Sequence, residues 1–329
     1  MMLSRRHILA AAGGGLAAPL VSRDAAAQAT RWQMATPYPD GNFQTRNVKA
    51  FVDDIQAAAG GRLTVQLHTG ASLLPMPQIK RGVQTGQVQM GEILLAAYSN
   101  EDVFFDADSI PQLVTNYAEA KKLADLQRPY VEQRLARQGM SLLYMVPWPP
   151  AGLYAQQPIT TLEGLRGLRF RTFSPATNRF AAIVGAQPTL VQQAELAQAF
   201  ATGVVQAQIT SAATGVDTAA WDYARVFTPL GFSMTKNAVM VSRRAMEALP
   251  GNLQQEIRSL AAKAEQRGYE MSAETWRNTE ATLGQRGMQV IPPTEEFLAG
   301  LRRVSAQMTE EWVGRAGEDG KKLIEAYRA

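Results

Sequence analysis

Cysteine is absent from all 329 residues, which excludes disulfides and thiolate metal sites. Histidine is nearly absent, with only His7 and His68 in the chain. His7 falls in an N-terminal segment with a role of its own, so His68 stands alone. One imidazole excludes a His-rich metal centre and leaves none to spare for a Ser-His-Asp arrangement. His68 closes an alternating run with Leu63, Val65 and Leu67 and reads as a structural or surface residue. No Gly-x-Gly-x-x-Gly follows a predicted strand, and neither a Gly-Lys-Ser/Thr loop nor His-Glu-x-x-His occurs. The adjacent carboxylates Asp53-Asp54 and Glu295-Glu296 lie on predicted helices, where neighbours point apart, and read as solvated faces. No apolar run reaches the roughly 20 residues that span a bilayer. Long Lys/Arg blocks are missing, and with them the usual argument for a nucleic-acid partner.

What is present begins with Ser4-Arg5-Arg6-His7-Ile8-Leu9, then small and apolar residues through Leu20, then Ala27-Gln28-Ala29. A charged start, a short apolar stretch and a small-x-small site form an export signal. The paired arginines predict the twin-arginine route, with residues 1–29 removed after Ala29 and a periplasmic destination. Three cations (Arg5, Arg6, Arg23) and one anion (Asp24) leave with it, so the formal charge of +4 becomes +2. A weakly positive remainder suits an anionic ligand.

Strand and helix signals then alternate. Arg31–Ala35 reads as a strand ended by Pro37-Tyr38-Pro39-Asp40-Gly41. Val48, Phe51, Val52 and Ile55 recur at helical spacing until Gly60-Gly61. Strands at 63–67 and 88–94 flank a helix around Ile79 and Val83. After Trp148-Pro149-Pro150, strands are predicted at 168–172, 188–191, 205–210 and 236–242. The helices between them are predicted at 176–184, 194–201 and 216–224. Such order predicts α/β layers with mixed sheets. Residues 252–284 read as one helix with Gly268 its weak point. At about 1.5 Å per residue it outruns one small lobe, so it is expected to bridge two.

The most informative stretch runs from Pro158 to Thr210. It contains Leu162-Glu163-Gly164-Leu165-Arg166-Gly167-Leu168-Arg169-Phe170-Arg171, then Gly185-Ala186-Gln187-Pro188, then Glu195-Leu196-Ala197-Gln198-Ala199-Phe200-Ala201-Thr202-Gly203-Val204-Val205-Gln206-Ala207-Gln208. In this order and spacing it resembles the dicarboxylate-type solute-binding proteins of tripartite ATP-independent periplasmic (TRAP) transporters. Gly86-Gln87-Val88-Gln89-Met90 and Val241-Ser242 before Leu249-Pro250 extend the likeness along the chain. The resemblance implies a two-lobed, type II-like periplasmic binding protein fold. Residues 30–148 with about 236–265 would form one lobe, and 149–235 with about 266–329 the other. It also implies a small organic-acid ligand, integral membrane transporter subunits as partners, and no stable insertion of this chain in the membrane. Arg171 would hold the ligand carboxylate.

The residues themselves agree on Arg171. Arg169 and Arg171 lie two apart on a short strand and share a side, and a guanidinium fork matches a carboxylate with two parallel hydrogen bonds. Departures from the family pattern follow Gln208. Thr210 stands where relatives often carry asparagine, and neither Ala151 nor Leu153 supplies a polar group. Trp148, Phe173 and Trp221 could wall a cleft apolarly. Glu92, interrupting an apolar strand end, could accept from a ligand hydroxyl or form a buried ion pair. Asn178, Asn237, Gln208 and Thr210 complete the predicted ligand-binding set, with no metal and no cofactor. Two alternatives are a binding protein for an ATP-driven importer or sensor, and an exported lyase or isomerase using Glu92 as base.

Overall fold

Residues 29–329 are described by the computed structural model; the expected export signal and its Arg5-Arg6 pair lie outside the described residues. The chain runs β1 (Thr30–Ala35), α1 (Phe43–Ala59), β2 (Leu63–His68), α2 (Met76–Thr85), β3 (Met90–Leu94), α3 (Tyr117–Arg137), β4 (Met140–Pro147), β5 (Ala151–Ala155) and β6 (Arg169–Thr172). It continues through α4 (Pro175–Ile183), β7 (Gln187–Leu190), α5 (Leu196–Ala201), β8 (Ala207–Ser211), α6 (Ala212–Asp217), β9 (Val226–Thr228) and β10 (Lys236–Ser242). It ends with α7 (Arg243–Glu247), α8 (Gly251–Gln285), β11 (Gln289–Val290) and α9 (Glu295–Arg328).

Two mixed sheets result. The first has the order β2-β1-β3-β10-β4, the second β11-β9-β5-β8-β6-β7. In the first, β1 pairs parallel with β2 and β3, while β10 returns antiparallel between β3 and β4. Local chemistry sets these elements. Asn42 caps α1 by accepting from the Gln44 amide, and Gly60 ends it at φ 55°, a conformation glycine adopts without a Cβ penalty. One face of α1 then buries Val48, Phe51, Val52 and Ile55 in the first core. Leu153, Phe170 and Ile209 of the second sheet pack with α9, while its other face, through Tyr154 and Phe227, covers Leu196, Phe200 and Leu283.

The chain crosses between the sheets at residues 148–150 and returns at 229–235. These segments are tied by backbone bonds from Trp148 N to Thr235 O (2.7 Å) and from Ala151 N to Ser233 O (3.0 Å). Helix α8 touches α1 and β4 on one side and α6 and β11 on the other. Its 35 residues would extend about 52 Å. Gly268, the expected weak point, sits where α8 packs against Val146 of β4 and Asn47 of α1. A Cβ there would lie 2.3 Å from Val146 Cγ2 and 2.8 Å from Asn47 Nδ2. The glycine trades helix propensity for close packing.

Two local expectations shift. The helix expected at 216–224 lies at Ala212–Asp217, because Ser211 ends β8 and at once caps the helix through the Thr214 amide. Ala219, at φ 49°, turns the chain out of it. Phe104, Ile110, Val114 and Leu123, which precede the first crossing, pack with Phe297, Leu301 and Trp312 in the second core.

Candidate functional site

The carboxyl ends of β1 and β3 and the carboxyl ends of β6 and β8 face one another across the crossings. This is where ligands enter open α/β sheets. A cavity of about 240 Å³ lies between them. Tyr38, Met76 and Leu94 line it from the first sheet, Arg171, Phe173 and Thr210 from the second, and Trp148 and Thr235 from the crossings. It is smaller than the roughly 300–1,000 Å³ typical of drug-sized ligands.

Arg169 and Arg171 share a side of β6, yet only Arg171 is buried, at 4% exposure. Arg169 opens the strand at the exposed sheet end, whereas Arg171 is registered between Gln208 of β8 and Thr189 of β7. The Arg171 Nε donates to Val191 O at 2.9 Å, which orients the guanidinium, and the Phe173 ring lies 4.8 Å from it. Among the described residues no carboxylate lies within 4.0 Å of Arg171. Burial pushes its pKa down to about 10, opposed by the phenols of Tyr223 and Tyr38. A desolvated cation facing a small cavity is the main electrostatic feature here.

The opposite wall is aromatic. Trp148 meets Tyr38 edge-on at 5.0 Å and Phe43 at 5.2 Å between ring centroids. Behind them, Trp148 Nε1 donates to Asn237 Oδ1 at 2.8 Å and the Tyr38 hydroxyl donates to the same oxygen at 3.2 Å. Asn237 Nδ2 donates to Glu92 Oε1 at 3.0 Å, and Thr36 Oγ1 donates to Glu92 Oε2 at 2.5 Å.

Residues 34–315 match the sequence model of a family described as bacterial extracellular solute-binding protein, family 7. The chain belongs to that family. DctP6 of Bordetella pertussis, described as an extracytoplasmic solute receptor binding pyroglutamic acid, is 43% identical. The likeness covers 91% of this chain and 99% of that one, with a TM-score of 0.89. DctP7 of the same organism, described likewise, is 41% identical over 92% of this chain and 100% of that one, with a TM-score of 0.90. UehA of Ruegeria pomeroyi, an ectoine/5-hydroxyectoine-binding periplasmic protein, is 24% identical over 98% of this chain and 95% of its own.

Of the nine residues predicted for this solute-binding protein's cleft, Arg171, Trp148, Phe173 and Thr210 line the cavity together. Five do not. Glu92 and Asn237, each 1% exposed, form the layer behind the aromatic wall. The buried ion pair expected for Glu92 is not formed, since its partners are Thr36 and Asn237, and the side chain does not line the cavity. Gln208 is fully buried on β8, in register with Arg171 and close to the Tyr223 hydroxyl. Asn178 is exposed on α4 and faces a neighbouring hollow with Tyr98, Glu101 and Leu190. Trp221 lies on the far face of the second sheet, over which Arg286 sits at 5.2 Å. Tyr38 was missed. The signal was its position in the Pro37-Tyr38-Pro39 turn at the carboxyl end of β1.

Glu92 gives a pH dependence. Burial raises its pKa from 4.5 to about 7, against the bonds from Thr36 and Asn237. The folded state therefore binds this proton more tightly than the unfolded chain. Its contribution to stability is full below about pH 4.5 and is lost as pH rises through about 7, an effect on the order of 3 kcal/mol. Glu92→Gln keeps an acceptor for Asn237 and can donate to Thr36. Its stability should match the wild type near pH 4.5 and exceed it at pH 8. Urea midpoints at the two pH values measure this, and a constant offset between the proteins would contradict it.

Proposed function

We propose that this protein captures a small cyclic carboxylate of the pyroglutamate class and delivers it, without chemical change, to the membrane subunits of a TRAP transporter. One observation carries the reading: Arg171 is a buried guanidinium with no carboxylate within 4.0 Å among the described residues, facing a cavity of about 240 Å³ with an aromatic far wall. A carboxylate on the ligand would supply the missing counter-charge through paired, charge-assisted bonds. The small cavity and its rings suit a compact ring rather than a long dicarboxylate. The two Bordetella receptors at 43% and 41% identity, described as binding pyroglutamic acid, support the same class.

In this reading residues 30–148 with about 236–265 form one lobe, except that 104–123 pack with the second core, and 149–235 with about 266–329 form the other; α8 spans them and the crossings serve as the hinge. Closure would remove water from the Arg171–carboxylate pair and strengthen it. The Arg5-Arg6 signal would take the chain to the periplasm by the twin-arginine route, with cleavage after Ala29. No described helix is long and apolar enough to cross a membrane, so the membrane-spanning part of the transporter would come from partner chains.

Thermal unfolding of residues 30–329 against L-pyroglutamate, succinate and ectoine tests the ligand class. A hundredfold excess over the dissociation constant adds about 2.7 kcal/mol to apparent stability. L-Pyroglutamate is expected to give the largest rise, and mass spectrometry should recover it unaltered. A rise with succinate alone would overturn the ligand class; turnover of the bound acid would overturn the receptor reading.

A further inference from the structure

Hydrogen-bond polarity in the aromatic wall limits what the ligand can present to it. The indole Nε1 of Trp148 can only donate, so the atom of Asn237 facing it must be Oδ1. Glu92 presents acceptor oxygens, so the atom facing it must be Nδ2. The Asn237 amide is thus fixed from both ends. This orientation holds in either state of Glu92, because a proton on Oε2 can be donated to Thr36 while Oε1 still accepts. The Tyr38 hydroxyl then meets only Asn237 Oδ1, an acceptor, and must spend its one proton there. What Tyr38 retains are oxygen lone pairs, and no described residue donates to them. Trp148 has likewise spent its only donor. Between these two residues, the wall opposite Arg171 offers the cavity rings and one acceptor.

From this polarity we infer that Tyr38 selects ligands carrying an N–H or O–H donor beside the carboxylate, and that Asn237 is the positioning residue that keeps Tyr38 an acceptor. The inference rests on the cyclic-carboxylate reading above and sharpens it. A lactam acid presents its ring N–H, whereas the matching lactone acid presents a ring oxygen. Two oxygens would then face each other in a desolvated cleft, a mismatch that polar sites reject strongly.

The test uses L-pyroglutamate and its lactone isostere, 5-oxotetrahydrofuran-2-carboxylate, titrated calorimetrically into residues 30–329. The wild type is expected to prefer the lactam by at least about tenfold. Tyr38→Phe should still bind both acids, with the preference reduced to within about threefold. Asn237→Ala frees the Tyr38 proton to turn toward the cavity, and the preference should collapse there too. The selectivity ratio separates this role from a merely structural one, which would weaken both acids alike. An unchanged ratio in Tyr38→Phe, or no preference in the wild type, would overturn the inference while leaving the cyclic-carboxylate reading intact. If the wild type bound neither acid, that reading would fall and the inference with it.

Discussion

Replacing Arg171 with methionine is expected to abolish ligand-induced stabilisation while making the ligand-free protein more stable. The guanidinium is 4% exposed, bonded through Nε to Val191 O, and without a carboxylate within 4.0 Å among the described residues. Burial has already moved its pKa down to about 10, the sign of a charged form held at a cost. Methionine fills a similar volume with no charge to desolvate and adapts its shape to the Phe173 ring. The cost is one orphaned carbonyl at Val191. Relief of an unpaired buried charge should outweigh it by about 1 kcal/mol or more. With a carboxylate present the balance reverses. Removing one partner of a buried charge pair costs about 2–5 kcal/mol, or roughly thirtyfold to several thousandfold in affinity. Melting curves of both proteins, with and without L-pyroglutamate, would show the curves crossing over. A methionine variant less stable when empty would mean that Arg171 is a structural cation.

The second large effect concerns the return crossing. Lys236, the first residue of β10, places Nζ 2.6 Å from Asp108 Oδ2, and their side chains are 4% and 3% exposed. Asp108 packs in the segment that joins the second core, so the pair ties that segment to the strand leaving the crossing. Burial raises the Asp108 pKa and the lysine lowers it. The other carboxylate oxygen, Oδ1, has no partner among the described residues. Such a pair adds little net stability, but either half alone is an uncompensated buried charge. Lys236→Met should therefore cost about 3–5 kcal/mol, and adding Asp108→Leu should recover most of it. Urea unfolding of both single variants and the double variant closes the cycle. Additive losses would show that the residues act independently.

Much of the architecture was legible because it is written in local periodicity. Alternation along 30–35 and 63–67 reports one buried face of each strand. The 3.6-residue recurrence of Leu253, Ile257, Leu260 and Ala264 located α8, expected over 252–284 and found as Gly251–Gln285. β10 occupies the expected residues, Lys236–Ser242. Trp148-Pro149-Pro150 marked the crossing because prolines cannot continue a ladder. Arg171 stood out because it and Arg169 share one side of a short strand, Arg169-Phe170-Arg171-Thr172.

The sequence by itself determined the alternation of strands and helices over residues 30–94 and much of 168–242, the place of the first crossing, the length of the bridging helix and the strand that carries Arg171; it did not mark α3, β4, β5, β9 or α9. Only the tertiary structure decided that β10 slots between β3 and β4, that residues 104–123 join the second core, and that Gly268 is a close contact. It alone separated the residues on the cavity wall from those behind it. Glu92, Asn237 and Gln208 look alike in sequence to any polar residue at a strand end, and burial assigns them to the inner layer. The reason is one of range. A strand's period and a helix's face are properties of neighbouring residues, whereas the Tyr38–Asn237 bond joins residues 199 positions apart, and that from Asn237 to Glu92 residues 145 apart. No local pattern encodes which of many polar side chains meet when distant strands are brought together, and the donor and acceptor polarity of the cleft exists only once they have met.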